Sequence, residues 1–362
     1  MIWKLLNQIL ALCYALFFKV NWINFFKHYD KSSNNVIWIC PIFPRRSLEY
    51  LLRTTFIGDL ATIQTLIDNK QNFRIVLGKK IGKINNSNIF YTVSYHFNTF
   101  YLTNYAAGLQ FVVKELEKQG NALLPGGQEV QYWENKAFMH QKFDELDINA
   151  PKTLIVDPSN IQSIDFASLN YPLLWKDVHS AGALGVHKLN SYQDFLALFE
   201  KKKITGINTF LIQNLINMRK DFRTTIVGDQ IIHHYWRVNP SKDWKPTSTS
   251  HGSSVDFDFF PEQWRSYILD SFKKLNITTG AFDITWENDD LSTTPIILEV
   301  SPSYDVNPPQ PNDLKSISYK AYKKKVFHKE AYFKGRVNYI FSIKHQLYDI
   351  YKSQNDFKAQ IN

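Results

Sequence analysis

Residues 210–238 read FLIQNLINMRKDFRTTIVGDQIIHHYWRV, and the centre of this run predicts a hairpin. β-Branched and aromatic residues fill 222–227 and 230–235, and Gly228-Asp229 between them is the signal of a tight two-residue antiparallel turn. A shorter strand is expected at 210–213. Asp221-Phe222-Arg223 opens one arm and Arg237 closes the other, so two guanidinium forks are expected to approach one cleft, where they hold phosphate or carboxylate. Cross-strand pairing with acids is the competing use of the same residues.

Downstream, AFDITWE (281–287) and PIILEVSPS (295–303) predict adjacent antiparallel strands at 280–287 and 296–300. Asp283 and Glu299 then lie near one another, sixteen positions apart in sequence. A carboxylate within an apolar strand is costly to bury without a partner, and magnesium is the ion that suits two carboxylates. No histidine spacing accompanies them, which argues against zinc. A salt bridge at the strand ends is the plainer alternative.

Upstream, YPLLWK predicts a strand at 173–176 ending on Lys176. SAGALGV (180–186) follows, where Gly182 and Gly185 permit close backbone approach to phosphate oxygens. It is not a Walker loop, since Gly-Lys-Ser/Thr is absent, and it lacks the Rossmann glycine spacing. A phosphoryl-transfer site needs cations, a loop that covers the phosphates and hard oxygen ligands, and this half of the chain supplies them in order.

Outside this region, strands are expected at 36–40, 73–78 and 89–95, with helices at 48–68 and 104–119, which together predict a small open α/β domain. LLPGG (123–127) is turn material; a helix at 135–146, a strand at 153–156 and helices at 191–201 and 261–275 complete the pattern. The expected organisation is a helical segment over 1–34, an α/β domain over 35–122, a larger unit over 123–312 and a basic helical extension over 313–362. KAYKKK (320–325) in that extension reads as a solvated helix face.

The chain of 362 residues is too long for one core, and 44% hydrophobic with 21% charged residues is a globular profile. Its net charge of +9 favours nucleotides, acidic substrates or anionic lipid. Zinc-finger spacing, a ribonucleoprotein-type aromatic motif and a long basic arm are all missing, so no specific nucleic-acid partner is expected. The two cysteines, Cys13 and Cys40, form no C-x-x-C pair, which fits a reducing, cytoplasmic setting. Residues 1–26 hold an apolar stretch at 9–18, too short to span a bilayer and closed by Lys19. A helix packed on the domain, a helix lying on a membrane and an export signal remain open for it.

Taken in order, NKAFMHQKFDELDINAPKT (135–153), Lys176 with SAGALGV, Gln213 in FLIQNLI, Asp221-Phe222-Arg223, Phe282-Asp283 and Leu298-Glu299-Val300 resemble the motifs of ATP-grasp ligases. The nearest type is that of ligases attaching glutamate to ribosomal protein tails or joining amino acids. The resemblance covers about residues 123–309, and residues 35–122 resemble the family's N-terminal domain more loosely. It implies a mixed α/β architecture: an N-terminal open α/β domain, a central lid-like subdomain and a C-terminal antiparallel sheet.

It also implies roles. Lys136 and Lys176 would contact ATP phosphates under a loop at 180–185 including Ser180, Gly182 and Gly185. Gln213 and the backbone near Leu215 and Ile216 would face adenine; Arg223 and Arg237 would hold the acyl phosphate or the acceptor carboxylate. Asp283, Glu299 and Ser301 would bind one or two Mg2+ ions. Two departures stand out: Glu299-Val300-Ser301 replaces the family's E-x-N, with Asp305 or Asn307 as substitutes for the amide, and Gln213-Asn214 replaces Gln-Glu.

The implied activity is an ADP-forming ligase that makes an amide through an acyl phosphate, with His233, His234 and His251 as candidate proton acceptors. EVSPSYDVNPP (299–309) is similar to ATP-grasp sequences associated with bacterial surface polysaccharides. The aromatic residues Tyr235, Trp236, Trp244, Trp286 and Tyr304 suggest a pocket for a uronic-acid sugar or lipid-linked glycan, joined to an amine or amino acid. Ligation to a peptide or protein tail, and a membrane-peripheral scaffold that binds ATP without turnover, are the alternatives.

Overall fold

A computed structural model describes residues 2–41, 50, 54–93, 99–180, 183, 185–204, 206, 208–241, 244–248, 252–257, 259–304, 317–318 and 330–361. The first unit holds α1 (Ile2–Tyr14), a π-helical turn (Ala15–Lys19), α2 (Trp22–His28), β1 (Asn35–Ile39), α3 (Thr54–Asp68), β2 (Arg74–Leu77), β3 (Asn88–Tyr91), α4 (Thr99–Lys118) and β4 (Ala122–Leu124). Its sheet is wholly parallel, in the order β2-β1-β3-β4. Both faces are covered, which is why its strands are nearly continuous apolar runs. Ile37, Ile39 and Phe90 pack with α1 and α3 on one face, while Val36, Trp38, Ile89 and Tyr91 pack with α4 on the other.

Two short helices follow, α5 (Gly127–Gln131) and α6 (Lys136–Glu145), the latter capped by the Asn135 side chain accepting from Phe138 N. A four-stranded antiparallel sheet, in the order β5-β8-β6-β7, comes next. It is built from β5 (Thr153–Val156), β6 (Leu173–Asp177), β7 (Val186–Leu189) and β8 (Phe210–Asn214), with α7 (Tyr192–Ile204) across it. Trp175 stacks on Phe210 at 3.7 Å between ring centroids, and Phe195 of α7 closes this small core.

The six-stranded antiparallel sheet β13-β12-β9-β10-β11-β14 contains the hairpin β9 (Lys220–Val227) and β10 (Gln230–Val238). β11 (Ser254–Asp256), β12 (Thr279–Thr285), β13 (Ile296–Ser301) and β14 (Ile317–Ser318) complete it. Gly228 turns the hairpin at φ +60°, as its first central position requires. Phe222, Ile226, Trp236, Phe282 and Ile284 point to one side, where α6 and α8 (Arg265–Lys274) cover them. Asp221, Arg223, Arg237 and Asp283 alternate with those residues and share the opposite side.

The last helix, α9 (Glu330–Ile361), returns to the first unit. Its Val337, Phe341 and Tyr348 join Ala11, Ala15, Leu60 and Ile63 in one core, so residues from both ends of the chain pack together. The expected strand at 89–95 stops at Tyr91, and the helix expected at 48–68 is described from Thr54. KAYKKK lies outside the described residues.

Candidate active site

The open side of the six-stranded sheet faces the Lys176 end of β6, with the N-terminus of α6 between them. Asp283 stands opposite Glu299 on β13 and opposite Arg223 on β9, next to a bulge after Asp283. Arg223 Nη1 donates to both Asp283 oxygens, at 2.9 and 3.1 Å. Arg237 grips Asp221 with Nε and Nη2, and its Nη2 also lies 2.8 Å from Asp283 Oδ2. Burial works to raise the Asp283 carboxyl, but the two guanidinium groups outweigh it and hold it below the usual range. Asp221 is pushed up to about 6, because burial there exceeds the opposing pull of Arg237.

The arginine pair, the cross-strand alternative, makes Asp283 tolerable in an apolar strand. Two carboxylates with phosphate oxygens and water still form a donor set that fits one Mg2+, because a carboxylate has about four lone-pair sites and each guanidinium N–H takes one. Among the described residues no group of three acidic, histidine or cysteine side chains converges on a metal position. Ser301 Oγ donates to Ser303 O at 2.6 Å, so its hydroxyl is engaged locally.

Across the cleft, Lys136 at the start of α6 is 5% exposed. Its Nζ donates to Ser180 O at 2.5 Å and lies 3.8 Å from Glu299 Oε1. Lys136 N donates to Val178 O, which fixes α6 against the end of β6. Burial pulls the Lys176 ammonium down to about 8; Lys136 adds to the shift, and Glu299 and Asp283 oppose it. Gly185 closes the loop by offering its carbonyl to Asp177 N at 2.9 Å. A Cβ there would sit 2.7 Å from Asp177 Cβ, so this position accepts little else. Gly182 and His251 lie outside the described residues, as do Asp305 and Asn307.

Gln213 is buried in β8, where its amide donates to Thr153 Oγ1 at 2.8 Å and meets His140 Nε2 at 3.0 Å. Leu215 and Ile216 follow on the half-buried link from β8 to β9. His140 lies one turn after Lys136 and is pulled down to about 3, by burial first and then by Lys176 and Lys136, so it is neutral. His233 is likewise neutral, pulled down to about 4 by burial, His234 and Arg223.

Glu134 was not singled out from sequence, yet it joins the site. Its backbone is left-handed, at φ +49°, and its buried Oε2 has no hydrogen-bond partner among the described residues. Burial and Glu299 push its carboxyl up to about 7, against the pull of Lys136 and Arg223. Its one sequence signal is adjacency to the cap residue Asn135. Trp236 and Trp286 leave the proposed sugar pocket: both are core residues packed with Phe222, on the face opposite the charges. A separate cleft of about 540 Å³ adjoins Asn135, lined by Phe111, Lys114, Gln128, Gln131, Phe138 and His179.

No family model and no curated protein matches the sequence. Solved structures match by shape. D-alanine–D-alanine ligase from Bacillus anthracis superposes with a TM-score of 0.56 at 11% identity, covering 89% of this chain and 100% of that one. The same enzyme complexed with ATP gives 0.54 at 12% identity, covering 90% and 100%. A RimK-domain ATP-grasp protein from Sphaerobacter thermophilus gives 0.50 at 11%, covering 87% and 98%. The parallel sheet, the small antiparallel sheet and the six-stranded sheet, with lysines facing carboxylates across the cleft between the last two, thus make up the ATP-grasp fold.

Proposed function

We propose that the chain is an ATP-dependent carboxylate–amine ligase, ADP-forming and acting in the cytoplasm. One observation carries this reading: Lys136 and Lys176 face Glu299 and the Asp283–Arg223–Arg237 cluster across one cleft. The lysines hold the triphosphate, and the loop from Ser180 to Gly185 covers it. Mg2+ held by Glu299 and Asp283 would supply charge neutralisation on the phosphate oxygens. A substrate carboxylate oxygen attacks the γ-phosphorus and ADP leaves. The amine then attacks the acyl carbon, a tetrahedral oxyanion forms within reach of Arg223 or Arg237, and inorganic phosphate departs as the amine loses its proton.

For the substrate, we propose a uronic-acid glycan of surface-polysaccharide synthesis, joined to an amine or amino acid. Support comes from the cleft beside Asn135, where the side-chain amides of Gln128 and Gln131 and the rings of Phe111 and Phe138 suit hydroxyls and sugar faces. ADP release is measured over a panel of carboxylates and amines, with Glu299→Gln beside the parent. Release with a glycan carboxylate, lost in the variant, supports the reading. No release with any glycan rules out this substrate, and a mass-labelled peptide product would assign the activity to protein tails.

A second reading, ATP binding without turnover, is favoured by one observation: both Asp283 oxygens are already engaged by arginine. Equal near-zero ADP release by the parent, Asp283→Asn and Glu299→Gln, with ATP still bound, would establish it.

A further inference from the structure

A helix on the surface of a soluble protein normally turns its large apolar side chains inward and its small or polar ones outward. The pair α1–α2 does so only in part, with Leu12, Leu16 and Phe25 packed against the core. Asn7, Ala11 and Ala15, spaced four apart, are the buried stripe against the body. The large apolar residues Leu5, Leu6 and Ile9 face outward, and at the bend Phe17, Phe18, Ile23 and Phe26 are each at least 74% exposed. We propose that α1–α2 docks on an anionic membrane surface, with Phe17, Phe18, Ile23 and Phe26 entering the interfacial layer.

The bend is a built feature. Trp22 Nε1 donates to Leu16 O at 2.7 Å across it, and Asn21 caps α2 by accepting from Asn24 N. Asn21 N donates in turn to Gln64 Oε1 of α3 at 2.8 Å, and Phe25 packs edge-on against Phe73. The two helices meet at 69°, and among the described residues no single helix is long and apolar enough to cross a bilayer. With its small-residue stripe held on α3 and α9, the pair is placed to lie along a surface.

Charge selects lipid over other occupants. Residues 1–29 contain no Asp or Glu, and lysines stand at 4, 19 and 27 with His28 beside them. Exposed Lys27 adjoins the apolar tip formed by Ile23 and Phe26. Trp22, partly exposed, lies at the edge of that tip, the level that indole prefers at a membrane interface. An apolar tip with exposed Lys27 beside it, on a segment that holds lysines and no acid from residue 1 to 29, matches an anionic headgroup layer. This inference is independent of the ligase reading: vesicle binding needs no ATP, and ADP release needs no vesicle.

The test is co-sedimentation of the full chain with vesicles of phosphatidylcholine alone and of phosphatidylcholine with one-third phosphatidylglycerol. Binding to the anionic vesicles is expected, weakening as salt is added. The variant Phe18→Ser/Ile23→Ser/Phe26→Ser is expected to bind about a hundredfold more weakly, with its thermal melting and ATP affinity unchanged, because these side chains face solvent. Should the triple variant misfold, Ile23→Ser alone is expected to weaken binding about tenfold. Failure of the parent to bind anionic vesicles overturns the proposal, as does equal binding by parent and variants. A parent dimer that the triple variant converts to monomer, without vesicle binding by either, would give the surface to a second copy of the chain and equally overturn it.

Discussion

On the six-stranded sheet, Asp221, Arg223, Arg237 and Asp283 neutralise one another at hydrogen-bond distance, while across the cleft Lys136 reaches Glu299 only at 3.8 Å. Lys176 has no ion-pair partner among the described residues. Both walls bury charge, but one compensates it internally and the other leaves the compensation to an arriving anion. The difference separates structural charge from binding charge: the first group should matter most for folding, the second for ligand affinity.

Breaking the self-compensated wall gives the largest expected effect. Arg237→Met leaves the 2%-exposed Asp221 side chain without its bidentate partner and is expected to cost about 3–5 kcal/mol in a denaturant titration. Asp221→Asn in the same background should recover part of that loss. On the facing wall, Lys176→Met removes a desolvated cation that has no ion-pair partner among the described residues, so the denaturation midpoint should hold or rise. ATP binding by calorimetry should fall about a hundredfold or more, the scale of a lost phosphate clamp. A large stability loss with intact ATP affinity would reverse the assignment of the two walls.

The smallest effect reads the field behind the lysines. His140 has a folded-state pKa of about 3 against an ordinary value of 6.5, so the unfolded chain takes up its proton first as pH falls. Its contribution to stability is therefore full above pH 6.5 and is lost on acidification toward about 3, at about 1.4 kcal/mol per pH unit. His140→Gln should flatten melting curves recorded between pH 6.5 and 5 by that slope. An unchanged slope would mean that His140 is solvated.

The hairpin was legible because its signals are local. β-Branched runs flank Gly228-Asp229, and the structure extends the arms to Lys220–Val227 and Gln230–Val238 around that turn. The opposition of Asp283 and Glu299 was legible for the same reason, since both flank one short connection. The arginine pair at Asp283 was legible only as the cross-strand alternative, because the arginines come from other strands and only register brings them there. Alternation did hold one unused signal: Trp236 is next to Arg237 and so had to face the other way, into the core. Glu134 gave no pattern, since residues more than 160 positions later bury it against Glu299. α9 falls within the basic helical extension expected over 313–362, and Val337, Phe341, Leu347 and Tyr348 are buried positions along it.

The meeting of α9 with α1 and α3 also sets a schedule for synthesis. His345 bonds Asp68 and Thr65 across 277 and 280 residues of sequence, and Phe341 completes a core begun by Ala11 and Ala15. At about 5–20 residues per second, a ribosome needs roughly 14–56 seconds to travel from Asp68 of α3 to His345 of α9. For that interval the first unit has only part of its apolar cover, while the small antiparallel sheet, closed within residues 153–214, can already form. Until α9 emerges, the face of α1 and α3 that it covers therefore remains available to a chaperone or a membrane.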